Sequence, residues 1–231
     1  MTEINQVQQI ITSIREHYCL DKYKANKAFI IAPFGQEYFR KGINNLKTSR
    51  AIRSFAKQKD CLVIVVTSQN IDISNCPENF IVIQISTPLG WPSNNSHLNR
   101  LIKWGAPLLF KNIKMSIYVD SHLTITNRIG KINRLFKIIK KHKFVNTDHE
   151  ERDGWEDEYN AIIGAKRSLN LQKVKEQKNF LDALNIPNDI PVCINGFLGC
   201  VHNDDFKLLN LEGLAQIFSF SERDQLSLCC V

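Results

Sequence analysis

Short apolar runs alternate with longer amphipathic stretches along the first half of the chain. Residues 27–32, 61–67 and 80–85 are runs rich in Ile, Val and Phe. Continuous apolar runs of this length are typical of strands that other layers cover on both faces. Residues 41–59, between the first two runs, carry apolar residues among basic ones and are predicted to be helical. Strand, helix and strand in this order predict a parallel sheet layered with helices.

The N-terminal segment has a helical pattern of its own. Ile4, Val7, Ile11 and Ile14 recur at helical spacing, so residues 1–20 are predicted to contain an amphipathic helix packed on the body of the protein. The segment lacks the basic and then apolar layout of a secretion signal. We therefore predict that this segment is part of the folded protein and not a targeting sequence.

A polar loop separates the first elements from the next ones. Residues 87–96 are rich in Pro, Gly, Asn and Ser and are predicted to form a surface loop near a ligand. We expect only a helical turn or two at 97–103, because Gly105 and Pro107 limit its extension. A strand interrupted by a polar trio is expected at 115–125. The chain downstream is predicted to be mainly helical, with helices at 130–143, 156–168, 171–184 and 221–228 and a strand at 190–201.

Length and composition indicate one globular domain. The chain has 231 residues, of which 43% are hydrophobic, and it can bury one substantial core. No run of 18 apolar residues occurs, so the sequence predicts no membrane-spanning helix. We therefore expect a single α/β domain over residues 1–231, with a central, mostly parallel sheet flanked by helices.

The cysteines favour a reducing compartment. There are seven of them, an odd number, without the spacing of a disulfide framework. Together with the missing secretion signal, they predict reduced thiols and a cytoplasmic location. Cys193, Cys200 and His202 lie close in sequence but lack the paired Cys-x-x-Cys spacing of a structural zinc site. Small buried hydrophobic residues on strands are the simpler interpretation of these cysteines.

The net charge of +7, with a pI near 9.0, indicates a surface that attracts phosphate groups. Much of the charge lies in the predicted helix 130–143, whose apolar residues share one face and whose lysines and arginines cover the other. A solvated outer face is one interpretation of this helix. A docking surface for a membrane or an anionic acceptor is the other, and peripheral membrane association through this helix stays open.

The strand predicted at 115–125 carries the most informative polar residues. An apolar strand that runs into Asp120 places this carboxylate at the carboxyl end of the sheet, where open α/β folds bind ligands. His122 lies two residues further on and shares a strand face with Asp120. The pair could hold Mg²⁺ or Mn²⁺ against a diphosphate and so neutralise charge on a leaving nucleotide. The alternative is an aspartate that begins a turn beside a surface histidine.

A polar cluster surrounds Trp155. His149 and Arg152 precede this tryptophan, and several acids accompany them. Asp153 and Glu156 have the spacing of a helix-capping pair, which explains these two acids without a ligand. Capping does not explain Arg152, whose guanidinium can donate two hydrogen bonds to a diphosphate or a sugar carboxylate.

A second polar cluster occupies residues 221–227. Ser221 and Asp224 have the spacing of another capping box, which would need no ligand. The functional interpretation places Asp224 and Gln225 beside an acceptor, where a carboxylate could take the proton of an attacking hydroxyl. The sequence leaves both interpretations open.

In this order the motifs resemble a known family, the glycosyltransferase-like domain shared by bacterial capsule and surface-polysaccharide proteins and by plant mucilage (pectin) biosynthesis proteins. The resemblance covers roughly residues 99–228. It rests on a basic pair ahead of Leu-Phe, a strand ending in Asp, a His-x-x-Arg with a downstream aromatic-Glu, and a closing Arg-Asp-Gln-Leu-Ser. In this chain these pieces are Arg100, Lys103 and Leu109-Phe110; residues 116–120; His149, Arg152, Trp155 and Glu156; and residues 223–227.

The resemblance implies a GT-A-like (Rossmann-like) fold and a soluble glycosyltransferase. Such an enzyme moves a sugar from a nucleotide-sugar donor to a glycan or other hydroxyl acceptor, here in surface-polysaccharide synthesis. In GT-A-type enzymes the first strand holds the base, and an Asp-x-Asp strand holds the metal and the diphosphate. The implied donor-binding residues are Pro33, Phe34, Arg100, Lys103, Asp120, His149 and Arg152, and the implied ligands of Mn²⁺ or Mg²⁺ are Asp120 and His122.

The resemblance also implies catalytic residues. Asp224 is the first candidate for the base, and Glu156 is the second. Gln225 or Asp224 would face the sugar if the reaction retains the anomeric configuration. His122 stands where the wider GT-A class often has a second aspartate.

Two other classes of protein compete with the enzyme. A non-catalytic nucleotide- or polysaccharide-binding module would keep the fold, but its function should survive replacement of Asp120 or Asp224 by alanine. A basic nucleic-acid-binding protein is less favoured, because the charge gathers on one helix and no recognised nucleic-acid motif accompanies it. We therefore expect no nucleic-acid partner.

Overall fold

The computed structural model describes residues 2–35, 40, 43–44, 46–72, 74, 76–123 and 128–227. Within this part of the chain, six strands form one sheet in the order β3-β2-β1-β4-β6-β5. Strand β6 is antiparallel to both of its neighbours, whereas β1 pairs in parallel with β2 and β4, and β2 pairs in parallel with β3. The strands are β1 Lys27–Ile31, β2 Cys61–Thr67, β3 Phe80–Gln84, β4 Met115–Val119, β5 Phe144–Asp148 and β6 Cys193–Val201.

Helices flank this sheet, which confirms the predicted α/β class with a mostly parallel sheet and is compatible with a Rossmann-like organisation. The described helices are α1 Glu3–His17, α2 Arg50–Ala56, α3 Asn95–Leu109, α4 Ile129–His142, α5 Trp155–Gly164, α6 Leu171–Ala183, α7 Asp204–Ser219 and α8 Asp224–Ser227.

The helices cover both faces of the sheet because the side chains of a strand alternate between its two faces. On β1, Ala28 and Ile30 pack in one apolar cluster, and Phe29 and Ile31 pack in another. The first cluster includes α1, α3 and α7, and the second includes α2 and α4. All residues of β2 are buried, which explains why its sequence is an uninterrupted apolar run.

A third apolar cluster fixes the end of the described chain. It surrounds Trp155 of α5 and contains Ile162, Val174, Leu181 and Leu226. Because Leu226 belongs to α8, the cluster holds this short helix against α5 and α6. The polar residues next to Leu226 are thereby brought to a defined place.

Helix α3 is longer than the sequence predicts. The expected turn or two at 97–103 continues through Gly105 and Pro107 to Leu109. Pro107 lies near the end of the helix, so its missing N–H and the clash of its ring affect only the last turn. At Gly105 an added Cβ would lie 3.2 Å from Cδ1 of Ile11. Close packing against α1 therefore favours glycine here and outweighs its low helix propensity.

Several element boundaries also differ from the predicted ones. The strand expected at 115–125 ends at Val119, and of its remaining residues 124 and 125 lie outside the described part of the chain. The helix expected at 41–59 is interrupted before α2, which the Ser49 side chain caps by accepting from the N–H of Ile52. The last helix begins at Asp224 and not at residue 221, and residue 228 is not described.

The sequence pattern misses β5 and α7. The residues of β5 are partly buried or exposed, so this edge strand has a weak apolar signal. On α7, Asn210 and Gly213 are buried while Leu208 is 57% exposed, which blurs the apolar stripe that marks a helix.

The described residues include no membrane-spanning helix and no disulfide bond. Among the helices in these ranges, none is long and apolar enough to cross a membrane. The described cysteines are all free thiols; they are Cys19, Cys61, Cys76, Cys193 and Cys200.

His202 forms a polar network beside the start of β4. Its Nδ1 lies 3.2 Å from the carbonyl oxygen of Phe110, and its Nε2 lies 2.8 Å from the hydroxyl oxygen of Ser116. Because a carbonyl only accepts, Nδ1 carries the proton and Nε2 accepts from Ser116. Burial lowers the pKa of His202 to about 4, although the bond to Phe110 opposes this shift.

We expect His202 to make the folded state less stable as the pH falls from 6.5 to 4. In that interval the unfolded chain protonates this imidazole and the folded chain does not, so the free energy of unfolding rises with pH. The contribution, about 2–3 kcal/mol, is complete above the ordinary pKa and lost near the lowered one. Urea unfolding near pH 7 and near pH 4.5 should show a smaller loss for His202→Gln than for the wild type. His142→Gln, at an exposed position, should behave as the wild type does. The same acid sensitivity in His202→Gln would contradict the prediction.

Candidate functional site

Strand β1 lies where the direction of the chain across the sheet reverses. The chain runs outward from β1 to β2 and β3 and then returns to β4 on the other side of β1. Open α/β sheets bind ligands at the carboxyl ends of strands beside such a switch point. A cavity of about 300 Å³, which we call the carboxyl-edge cavity, lies there. Ala32 and Phe34 follow β1 and line it, as do Asp120, Ser121 and His122 after β4.

Basic residues form another wall of the carboxyl-edge cavity. Arg100 belongs to α3, Arg167 follows α5, and Arg223 immediately precedes α8. Among the described lining residues the carboxylate is that of Asp120, so the cationic side chains outnumber the anionic one. A concave site with this excess of positive charge attracts phosphate groups.

Asp120 follows β4 directly and lines the cavity, where the sequence places it. Its backbone N–H donates to the carbonyl oxygen of Gly196 at 2.8 Å, so the pairing of β4 with β6 continues for one more residue. The hydroxyl of Tyr118 donates to Oδ1 at 2.9 Å. In the described ranges no second hydrogen bond to this carboxylate is found, and Oδ2 can therefore receive one from a ligand.

Asn99 connects the three elements around the cavity. Its Nδ2 lies 2.9 Å from the carbonyl oxygen of Ala32 and 2.7 Å from the hydroxyl oxygen of Tyr118. Its Oδ1 accepts from a guanidinium nitrogen of Arg100 at 2.6 Å. The ends of β1 and β4 and the arginine of α3 are thus held by one amide.

Asp224 is buried at the centre of an ion-pair cluster. Its Oδ1 lies 2.9 Å from Nε of Arg100, and its Oδ2 lies 2.9 Å from Nζ of Lys103. The indole N–H of Trp104 donates to Oδ2 at 3.0 Å. The Nζ of Lys103 also lies 5.6 Å from the centre of the Tyr118 ring. Arg100 therefore reaches the carboxyl-edge cavity, whereas Lys103 and Asp224 lie behind it.

The ion pairs change the acidity of these groups. Burial alone would raise the pKa of Asp224, but Arg100 and Lys103 outweigh burial and lower this pKa to about 2. Burial lowers the pKa of Lys103, although Asp224 opposes the shift. The two partners thus share a carboxylate that stays ionised at neutral pH.

A second buried carboxylate, Glu158, organises the other basic residues. Its Oε1 lies 3.1 Å from Nη2 of Arg223, and its Oε2 lies 3.4 Å from Nε of Arg152. His149 approaches the same oxygen, with Nε2 at 4.0 Å. Nη2 of Arg223 also donates to Oε1 of Gln225 at 3.1 Å. His149 and Arg152, two of the predicted donor-binding residues, are therefore brought together by Glu158, outside the lining of the cavity.

Two other predicted residues lie away from the cavity lining. Glu156 accepts from Nδ2 of Asn188 at 2.7 Å and faces Lys178, whose Nζ is 3.9 Å from it. Pro33 is buried, and its carbonyl oxygen accepts from the hydroxyl of Thr67 at 3.2 Å. Neither residue is among those that line the carboxyl-edge cavity.

Glu158 and Arg167 belong to the site or its support but are not predicted from the sequence. Glu158 could have been found by spacing, because Trp155, Glu158 and Ile162 fall on one buried face of α5. A carboxylate at an otherwise apolar helical position requires cationic partners. Arg167 gives no comparable signal, since only the fold brings the loop after α5 to the carboxyl edge of the sheet.

The donor set for a divalent cation is small. Asp120 and His122 both line the cavity and supply a carboxylate and an imidazole. In the described residues no group of three or more His, Cys, Asp or Glu side chains that could hold a metal comes together. Because Mg²⁺ often takes one or two protein ligands and completes its shell with substrate phosphates and water, this pair fits a cation shared with a diphosphate.

The chain matches no protein-family model and no curated protein. What the carboxyl-edge cavity can do follows from its own chemistry. Its arginines can bind oxyanions, Asp120 can accept a hydrogen bond or hold a cation, and Phe34 offers apolar surface. Together these groups suit a ligand with both an aromatic or apolar part and a phosphorylated part.

We expect Asp224→Asn to destabilise the fold strongly. The substitution leaves Arg100 and Lys103 buried without their counter-ion, a change that typically costs about 3–5 kcal/mol. Urea unfolding would measure the loss. Asp182→Asn is the matched control, because it breaks the exposed ion pair with Lys178 and should cost less than about 1 kcal/mol. Similar losses in the free energy of unfolding of the two variants would contradict the strong contribution that we expect from the Asp224 ion pairs.

Proposed function

We propose that this protein is a glycosyltransferase that moves a sugar from a nucleotide-sugar donor to a glycan or other hydroxyl acceptor. The observation that carries the proposal is the position of Asp120, at the end of β4 on a cavity whose other wall is built from arginines. This arrangement supports binding of a diphosphate and of any cation that accompanies it. A role in surface-polysaccharide synthesis rests on the family resemblance alone.

The arginines would hold the diphosphate. Arg100 shares Asp224 with Lys103, and Arg223 shares Glu158 with Arg152, which also pairs with the exposed Glu151. In the lining of the cavity, the arginines still outnumber Asp120, and this excess of positive charge remains for a ligand. Guanidinium groups held by buried carboxylates are already oriented before the ligand arrives, and less freedom is lost on binding. A doubly charged diphosphate would complement this excess.

The end of β1 would hold the base of the nucleotide. Phe34 and Ala32 lie at the switch point and line the same cavity as the arginines. Apolar side chains beside a basic wall suit a nucleoside diphosphate better than a simple phosphate. The buried Pro33 would shape this loop through its bond to Thr67 without touching the donor.

The reaction would form a bond between the acceptor oxygen and the anomeric carbon, and break the bond between that carbon and the phosphate oxygen. The hydroxyl proton would pass to an oxygen of the departing diphosphate, which acts as the base. Asp120 and His122 would hold Mg²⁺ or Mn²⁺, and the bound cation would neutralise charge on the leaving diphosphate. Arg100, Arg167 and Arg223 would orient the diphosphate oxygens.

The C-terminal motif would act by positioning residues of the cavity. A buried carboxylate with a pKa near 2 is a weak proton acceptor at neutral pH, which favours Asp224 as the group that orients Arg100. Gln225 would orient Arg223 in the same way, through their hydrogen bond. Glu156, the second candidate for the base, bonds to Asn188 and does not line the cavity.

We expect a nucleotide-sugar to stabilise the folded protein. A panel of UDP- and GDP-sugars, with and without Mn²⁺, should include one that raises Tm by roughly 5–10 °C at about a hundredfold excess over Kd. Asp120→Asn should remove most of the Mn²⁺-dependent part of this shift, and Asp205→Asn, at an exposed position, should leave it unchanged. No shift with any donor would count against the proposal.

Turnover separates the enzyme from a binding module. Release of nucleoside diphosphate in the presence of an acceptor is expected of the enzyme and should fall sharply in Asp120→Asn. Stabilisation by a donor without any release of diphosphate would favour the non-catalytic module.

Arg167 provides a second test of the diphosphate site. It lines the cavity and makes no ion pair within the described chain, so its charge is available to the ligand. We expect Arg167→Gln to weaken binding of nucleoside diphosphate about tenfold, as for one lost charge-assisted contact. Lys166→Gln removes the same charge from the exposed neighbouring residue, which does not line the cavity, and should change Kd little. Titration calorimetry measures the Kd of nucleoside diphosphate for both variants. Equal changes in Kd would contradict the assignment of Arg167 to the diphosphate site.

A further inference from the structure

A second cavity, of about 880 Å³, opens at the opposite edge of the sheet. Lys27 begins β1, Met115 begins β4, and Val201 ends the antiparallel β6, so these three lining residues mark the amino edge. Strands β1 and β4 have five residues each and span about 16 Å, which separates this cavity from the carboxyl-edge cavity.

Five lysines line this second cavity, which we call the lysine cavity. They are Lys27, Lys114, Lys137, Lys140 and Lys143, and they come from α4, from the residue after it and from the starts of β1 and β4. No aspartate or glutamate is among the described lining residues, and in the described ranges none of the five forms an ion pair. Cations gathered in a concave site repel each other and focus a positive potential.

The lysine cavity also has an apolar wall and an unsatisfied acceptor. Phe136 and Met115 supply apolar surface, and Nζ of Lys27 lies 5.7 Å from the centre of the Phe136 ring. The side-chain oxygen of Asn133, another lining residue, is buried and has no hydrogen-bond partner within the described chain. A buried acceptor without a partner costs about 1–3 kcal/mol.

From these features we infer that the lysine cavity binds a compact ligand with two or more phosphate groups. Several ammonium groups without counter-ions require several negative charges, and a single carboxylate would leave most of them uncompensated. The volume accommodates a small organic polyphosphate or the head group of a phosphorylated lipid. The two sources share the same phosphate chemistry.

Helix electrostatics explain only part of the cluster. Lysines in the last turn of a helix interact favourably with the negative end of its dipole, which accounts for Lys140 without any ligand. Lys27 and Lys114 are not on that helix, and yet they line the same cavity. The convergence of separate segments is what distinguishes a binding site from a basic helix face.

A charge-matched pair of variants tests the inference. Lys137→Gln with Lys140→Gln removes two charges from the lysine cavity, whereas Lys131→Gln with Lys141→Gln removes two charges from exposed positions of α4 outside its lining. Titration calorimetry with inorganic tripolyphosphate would measure binding to each double variant and to the wild type. All four residues are exposed, so both variants should fold, and equal Tm values would verify this.

The first double variant should bind tripolyphosphate at the lysine cavity about tenfold more weakly than the wild type, because two favourable ion contacts are lost. The second should bind nearly as the wild type does. Binding at the carboxyl-edge cavity would persist in both variants, so the outcome does not depend on the proposed glycosyltransferase activity. Equal weakening in the two variants, or no binding that responds to either, would overturn the inference.

Vesicles distinguish the two sources of phosphate. Sedimentation with phosphatidylcholine vesicles that contain phosphatidylinositol bisphosphate, whose head group carries several phosphates, should be lost in the first double variant, and only there, if a lipid head group is the ligand. Tripolyphosphate binding that shows the same selectivity, without vesicle binding, would assign the cavity to a soluble polyphosphate. Vesicle binding that falls equally in both variants would indicate general surface charge and would contradict the inference.

Discussion

The Asp224 carboxylate, buried between Arg100 and Lys103, determines where the end of the described chain meets helix α3. Removing three charged groups from water is costly, and their mutual attraction offsets that cost only while the partners stay in place. The hydrogen bond from Trp104 adds a further geometric requirement. Through this cluster, a short segment that is remote in sequence controls the orientation of an arginine in the carboxyl-edge cavity.

The same arrangement occurs a second time on the other side of the cavity. Glu158, buried on α5, fixes Arg223 and Arg152, and Gln225 supports Arg223. Each buried carboxylate pairs with two cations and so orients an arginine of the basic wall, Arg100 in one case and Arg223 in the other. Prepositioned charge of this kind favours ligands whose negative charge has a fixed shape, as a diphosphate does.

Two groups of cationic residues lie at the two edges of one sheet. At the carboxyl edge, Arg100 and Arg223 are held by carboxylates, and Arg167 and Asp120 line the same cavity. At the amino edge, lysines gather without carboxylates among the described lining residues. Arginine with a fixed partner provides directional hydrogen bonds, whereas lysine provides a mobile point charge. The net charge of the sequence therefore does not reveal that two of its basic clusters differ in chemistry.

By itself, the sequence determined the class of fold and the position of Asp120. Continuous apolar runs such as β2 report burial on both faces, and an apolar strand that ends in a carboxylate reports the edge of a sheet, because both are local consequences of strand geometry. Only the tertiary structure decided which polar residues line the carboxyl-edge cavity. Asp224, Glu156 and Lys103 are expected in the site from the sequence but form their ion pairs and hydrogen bonds outside this lining, while Arg167 lines the cavity without any local signal. The reason is that ion pairing and access to a cavity depend on segments far apart in the chain, and their meeting is fixed by the packing of the core and not by local spacing.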